Sequence, residues 1–147
     1  MKISVQEAPF DAGAEIAAFG AGRADIGAVV TFTGLVRDDT GALEALELEH
    51  YPGMTERAIA KIAEEAVARW ALADCLVIHR HGRLAVGEAI MMVATAARHR
   101  VAAFEAAEFL MDYLKSRAPF WKKEHGPGGE TGWVAAKDAD EAALKRW

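Results

Sequence analysis

Apolar residues recur at helical spacing at Ile59, Ile62, Ala63, Ala66, Val67 and Trp70, while Arg57, Lys61, Glu64 and Glu65 fall mostly on the opposite side. This period predicts an amphipathic helix, the clearest in the chain. A Pro52-Gly53 turn leads into it and Thr55 is its predicted cap. A second long helix is predicted from about Val101 to Lys115, with Val101, Phe104, Met111 and Leu114 as its apolar line. Pro119 ends it, because the residue before a proline resists helical geometry. Asp11 caps a short first helix through Glu15, Ile16 and Phe19, closed by Gly20 and Gly22.

Between the helices the pattern changes to that of strands. Met1 to Glu7 and the β-branched run Ile26 to Thr33 read as strands, and Leu46 to Glu49 alternates apolar and polar as a half-exposed strand does. Cys75 to His81 and Glu88 to Ala97 are two strands joined through Gly82 and Gly87. Gly34 to Gly41 reads as a loop. Phe120 to Glu124 and Trp133 to Ala136 read as late strands separated by a flexible His125-to-Gly129 stretch, and Asp140 to Trp147 as a tail helix. Strands and helices mix without strict βαβ alternation, which predicts an α+β two-layer domain over residues 1–147 rather than a doubly wound sheet.

Composition narrows the function. A formal charge of −5 and a pI near 5.5 argue against general nucleic-acid binding. No apolar run approaches the roughly 20 residues needed to span a bilayer, and the N-terminus lacks a signal-peptide core, so the expected compartment is the cytoplasm. The one cysteine, Cys75, opens an apolar strand and reads as a small buried hydrophobe rather than a nucleophile.

Against this acidic background, Lys115-Ser116-Arg117-Ala118-Pro119-Phe120-Trp121-Lys122-Lys123-Glu124 packs four cations, a helix stop and two large aromatics into ten residues. Such a cluster makes a local anion site without making the whole surface basic. Lys115 ends an apolar line, where it can bury its stem and hold its ammonium at a pocket rim, or simply complement the helix dipole and reach water. Phe120, Lys122 and Glu124 share one side of a strand, with Trp121 and Lys123 on the other. That row is either a surface ion pair or the floor of a substrate site. Arg98-His99-Arg100 stands at a helix start, where cations oppose the dipole, and this favours an anion site over a solvated basic turn. Arg37 follows a strand in a Gly-bounded loop, a usual place for a binding residue. His79 and His81 share a strand face, but with no third ligand nearby a structural role is expected rather than a metal. His50, beside Tyr51, has no evident partner. There is no Gly-rich phosphate loop and no Gly-x-Ser-x-Gly elbow.

These segments, taken together, resemble the large, catalytic subunit of molybdopterin synthase. The matching stretches are Phe32-Thr33-Gly34-Leu35-Val36-Arg37, Leu48-Glu49-His50-Tyr51-Pro52-Gly53-Met54, His79-Arg80-His81-Gly82, Arg98-His99-Arg100, Tyr113 to Glu124 and the closing Lys145-Arg146-Trp147. The resemblance implies an α/β hammerhead fold with a small added β subdomain. It implies a sulfurtransferase that converts cyclic pyranopterin monophosphate into the dithiolene of molybdopterin, drawing two sulfurs from the thiocarboxylated Gly-Gly tail of a small ubiquitin-like carrier. No metal and no cofactor are implied. A homodimer with one carrier at each far end forms the implied heterotetramer, so some pocket residues could act across the dimer. The implied site comprises Leu35, Val36, Arg37, His99, Arg100, Lys115, Lys122, Lys123 and Glu124. Lys115 would stabilise acyl transfer at the carrier's tail and Lys122 the developing charge, while Arg37, His99 and Arg100 would hold phosphate and pterin, with His99 a candidate proton donor. The rival expectations are a non-catalytic module gripping a ubiquitin-like tail and an unrelated small enzyme acting on another phosphorylated metabolite.

Overall fold

A computed structural model describes residues 1–133 and 138–147. The order is β1 (Lys2–Gln6), α1 (Ala12–Ala18), β2 (Ala28–Leu35), β3 (Ala45–His50), α2 (Met54–Trp70), β4 (Asp74–Arg80), β5 (Gly82–Ala85), β6 (Ala89–Ala97), α3 (Arg100–Arg117), β7 (Phe120–Gly126), β8 (Gly129–Glu130) and α4 (Asp138–Ala143), then a 3₁₀ turn over Leu144–Arg146. The strands form two sheets, as the α+β reading with a small second β unit anticipates. The larger has the order β1-β4-β6-β2, with β1 parallel to β4 and the other pairs antiparallel. The smaller, β5-β3-β7-β8, is antiparallel throughout. Among the described residues no helix is long and apolar enough to cross a membrane.

Strand alternation divides the core. Cys75, Val77, Met91 and Val93 point to the face covered by α2 and α3, against Ile59, Ile62, Ala63, Ala66, Phe109 and Leu110. Leu76, Ile78, Met92 and Ala94 point the other way, against Phe10, Ala12 and Phe19 around α1. A third cluster, Val36, Leu48 and Leu84, packs with Leu43, Leu46 and Ile90 where the smaller sheet meets the larger.

Several expectations are corrected. Gly53, not Thr55, stands at the N-cap of α2, and its N–H donates to Glu56 Oε2 at 2.6 Å. Thr55 is fully buried; its hydroxyl accepts from the Tyr51 N–H at 3.0 Å and donates to the Pro119 carbonyl at 3.0 Å, tying the start of α2 to the start of β7. In α3 the buried residues are Ala103, Ala106, Ala107, Phe109, Leu110 and Leu114, whereas Val101 and Phe104 are 60% and 61% exposed. The connection from His81 to Glu88 contains an extra strand, β5. Gly34 and Leu35 belong to β2, with a register slip between them, so the loop starts at Val36. The glycine-rich stretch after His125 is a tight hairpin, with Gly126 opposite Gly129 and φ +94° at Gly129. Of the strand expected over residues 133–136, Trp133 is in no strand and the rest lies outside the described residues.

Gly27 leads into β2 and its N–H donates to the Ala97 carbonyl at 3.0 Å. A Cβ there would run into the Arg98 carbonyl, where the chain turns from β6 into α3. Gly27→Ala is therefore expected to cost about 2 kcal/mol by overpacking. Urea unfolding would show this as a lower midpoint at unchanged slope.

Candidate functional site

The chain reverses at Arg98-His99, and α3 runs back over β6 and β2. Because β2 is antiparallel to β6, the end of β2 and the loop bearing Arg37 lie at the same end of the large sheet as the C-terminus of α3. His79, opposite Met91 near the start of β6, lies at that end too. It is also on the α3 side of the sheet, since it follows Cys75 and Val77 in alternation. Phe120 stacks on it, with ring centroids 3.8 Å apart and planes 19° apart, and so brings β7 to the same place.

The four cations of the 115–123 segment separate into two kinds. Arg117 pairs with Glu141 at 2.6 Å. Lys123 pairs with Glu130 at 3.1 Å and Glu47 at 3.5 Å, and lies 4.4 Å from the Trp133 ring centroid. Among the described residues Lys115 and Lys122 have no carboxylate partner. Register explains the split. Lys122 lies opposite Leu48 and Glu124 opposite Leu46, on the inner face shared with Phe120 and His50, whereas Lys123 lies opposite Glu47 on the outer face. Lys122 is half-buried there, while Glu124 and Lys115 are exposed. Strand order therefore places these two ammonium groups, without a carboxylate partner among the described residues, toward the end of the large sheet that bears the Arg37 loop. Val36 is buried against Leu48 and Leu84, Leu35 is 58% exposed at the end of β2, and the Arg37 guanidinium meets Asp39 at 2.9 Å in solvent.

His99 and Arg100 are not part of that constellation within one chain. They start α3, whereas Lys115 is near its end. At a rise of 1.5 Å per residue the two positions lie about 22 Å apart along the helix. Both are exposed, beside the exposed Val101 and Phe104.

Three histidines that sequence reasoning left without a common role converge beside the lysines. His50 and His81 rings are 4.2 Å apart, and His50 Nε2 is 3.7 Å from Glu56. His79 Nδ1 is 2.8 Å from the Arg80 carbonyl; a carbonyl only accepts, so this nitrogen carries the proton. Burial pushes the His79 pKa down to about 4; the Arg80 carbonyl pulls the other way, while Lys115, His81 and His50 add to the depression. The only sequence signal was the His79–His81 alternation; His50 joins through strand order alone. Also missed was a cleft of about 500 Å³ on the outer face, lined by Glu49, Tyr51, Trp121 and Trp133. Cys75 lies in the core with no exposure, and burial pushes its thiol up to about 12, so it stays protonated and unreactive.

The depressed His79 has a consequence for stability. Between pH 6.5 and about 4 the unfolded chain binds a proton at this ring that the folded chain does not, so stability falls as the pH drops through that window. The loss is expected to reach no more than about 3 kcal/mol. His79→Phe should flatten this part of a urea-midpoint-against-pH curve.

The family model described as MoaE protein matches residues 5–117 of the chain. The molybdopterin synthase catalytic subunit of Cereibacter sphaeroides is 71% identical over 147 residues, covering 100% of both chains. The molybdopterin biosynthesis MoaE protein of Burkholderia ambifaria is 53% identical and superimposes with a TM-score of 0.86 over 99% of this chain and 97% of that one. Molybdopterin synthase of Staphylococcus aureus is 30% identical, with a TM-score of 0.81 over 90% of this chain and 96% of that one.

Proposed function

The chain belongs to the MoaE protein family, and from that premise we propose that it is the catalytic subunit of a molybdopterin synthase, working on cyclic pyranopterin monophosphate with a small thiocarboxylated carrier. It is a sulfurtransferase of molybdenum cofactor biosynthesis, acting in the cytoplasm. The observation that supports this reading best is that Lys115 and Lys122, without a carboxylate partner among the described residues, lie toward the sheet end that bears the Arg37 loop. Substrate phosphate and carrier thiocarboxylate are both anions, and bringing them into one pocket requires cations that no carboxylate of the chain already holds. The inert Cys75 fits a reaction in which the partner brings the sulfur.

In this reading Lys115 lies nearest the carrier's C-terminus and stabilises the charge of acyl transfer. Lys122 compensates charge on the substrate or leaving group, with Glu124 on the same strand face. Leu35, Val36 and Arg37 border the pterin. The phosphate-binding pair His99 and Arg100 is supplied by a second copy of the chain, because α3 holds it too far from its own Lys115. The exposed apolar residues Phe32 and Leu35 on the α3 side of edge strand β2, with Val101 and Phe104 on α3, supply a face for that copy. A carrier on each outer end completes a heterotetramer.

A module that only grips a ubiquitin-like tail would also use the aromatic cleft of Tyr51, Trp121 and Trp133. It would have no use for unpaired Lys115 and Lys122. A single-turnover assay with the purified chain, cyclic pyranopterin monophosphate and thiocarboxylated carrier separates the two. Dithiolene product that depends on the thiocarboxylate is expected; tight carrier binding without product would leave only the binding module.

A further inference from the structure

We propose that His79 is a positioning residue for sulfur transfer: its ring, stacked on Phe120, sets where β7 carries Lys122 relative to Lys115 on α3. The inference rests on the synthase reading above and assigns a role to a side chain outside its substrate pocket.

The two lysines belong to different parts of the fold. Lys115 is on a helix of the large sheet's layer, and Lys122 is on a strand of the smaller sheet. Two residues, Ala118 and Pro119, separate the end of α3 from the first residue of β7, and Thr55 holds this crossing at the Pro119 carbonyl. The antiparallel ladder holds β7 along β3, an apolar cluster around Leu48 and Leu84 joins the two sheets, and at the start of β7 flat rings add a direct contact to β4. Phe120, two residues before Lys122 and on the same face, lies against His79 of β4. Opposite Phe120 in register is His50 of β3, which lies against His81, the residue that follows β4. Two ring pairs therefore bridge the sheets, and one is adjacent to the strand position that carries Lys122.

At His79 the bridge is built for an uncharged ring. The proton on His79 Nδ1 is committed to the Arg80 carbonyl, which fixes both tautomer and ring plane. The buried Nδ1 of His50 has no hydrogen-bond partner among the described residues. An uncharged His79 lets the Lys115 ammonium stand nearby without a like charge beside it. Phenylalanine at 79 would keep the stacking surface and the missing charge while losing the hydrogen bond. Alanine would lose the surface.

The test compares His79→Ala and His79→Phe with the unsubstituted chain in complex with thiocarboxylated carrier, under single turnover at varied carrier concentration. His79→Ala is expected to lower the rate at saturating carrier about 30-fold, the scale of a displaced reacting group, with half-saturation unchanged within about twofold. His79→Phe is expected to return the rate to within about threefold of the unsubstituted chain. An alanine variant at full rate, a change in half-saturation instead of rate, or a phenylalanine variant no better than alanine would overturn the proposal. If the unsubstituted chain forms no product, the synthase reading fails, and the bridge is judged from the imidazole ¹⁵N spectrum. A His79 Nδ1–H tautomer that persists at pH 5 supports the uncharged wall, and a ring already protonated at pH 5 overturns it.

Discussion

Lys115→Ala is expected to lower dithiolene formation in a single turnover by about 10²- to 10³-fold, the loss typical of removing one preorganised charge-stabilising group. The side chain is exposed and has no carboxylate partner among the described residues, so its removal leaves neither a cavity nor a stranded charge. Unfolding midpoints should therefore stay near those of the unsubstituted chain, which separates a loss of chemistry from a loss of fold. Lys115→Arg keeps the charge on a longer, planar group and should recover only part of the rate. Lys123→Ala is the informative contrast. That ammonium is already held by Glu130 and Glu47 on the outer face, and its loss should change turnover far less. A Lys115→Ala rate within threefold of the unsubstituted chain would remove Lys115 from the reaction.

How far the sequence carried this reading depends on where each side chain's partner lies. The α2 stripe was legible because its buried positions are large and apolar: Ile59 and Ile62 announce the face that Ala63 and Ala66 merely fill. In α3 the logic inverts. Alanines at 103, 106 and 107 make the buried face, allowing close approach to the sheet, while the conspicuous Val101 and Phe104 stay outside. Hydrophobic size therefore misplaced Val101 and Phe104, whereas Leu114 and Met111 of the expected line do face the core. Strand β5 was missed because four residues with one buried side chain, Leu84, give almost no alternation to read. The cation cluster was visible as composition, but neutralisation was not. Arg117 finds Glu141 twenty-four residues later, and Lys123 finds Glu47 only because β7 lies against β3. The imidazole bridge was illegible for the same reason, since residues 50, 79 and 81 meet only once strand order is known.

The separation along α3 leads to the second large effect. If Arg100 served the pocket of its own chain, Arg100→Ala and Lys115→Ala would damage the same site, and mixing the two variants would restore nothing. An 18-residue helix makes that arrangement untenable, because it holds the two positions about 22 Å apart and no side-chain extension closes such a gap. In the proposed dimer, one copy would contribute its helix start to the pocket formed by the other copy's helix end. Each pure variant should then be nearly inactive. In a mixed dimer one pocket collects both substitutions and the other collects neither. Random re-pairing of equal amounts makes half the dimers mixed, so about a quarter of all pockets are intact, and activity should return to about a quarter of the unsubstituted level. The measurement is product formed after the two inactive variants are dissociated together and reassembled, against each variant treated alone. Recovery to that level requires Arg100 and Lys115 of one pocket to come from different chains; no recovery, in dimers shown by differently tagged copies to have exchanged, would return both residues to a single chain.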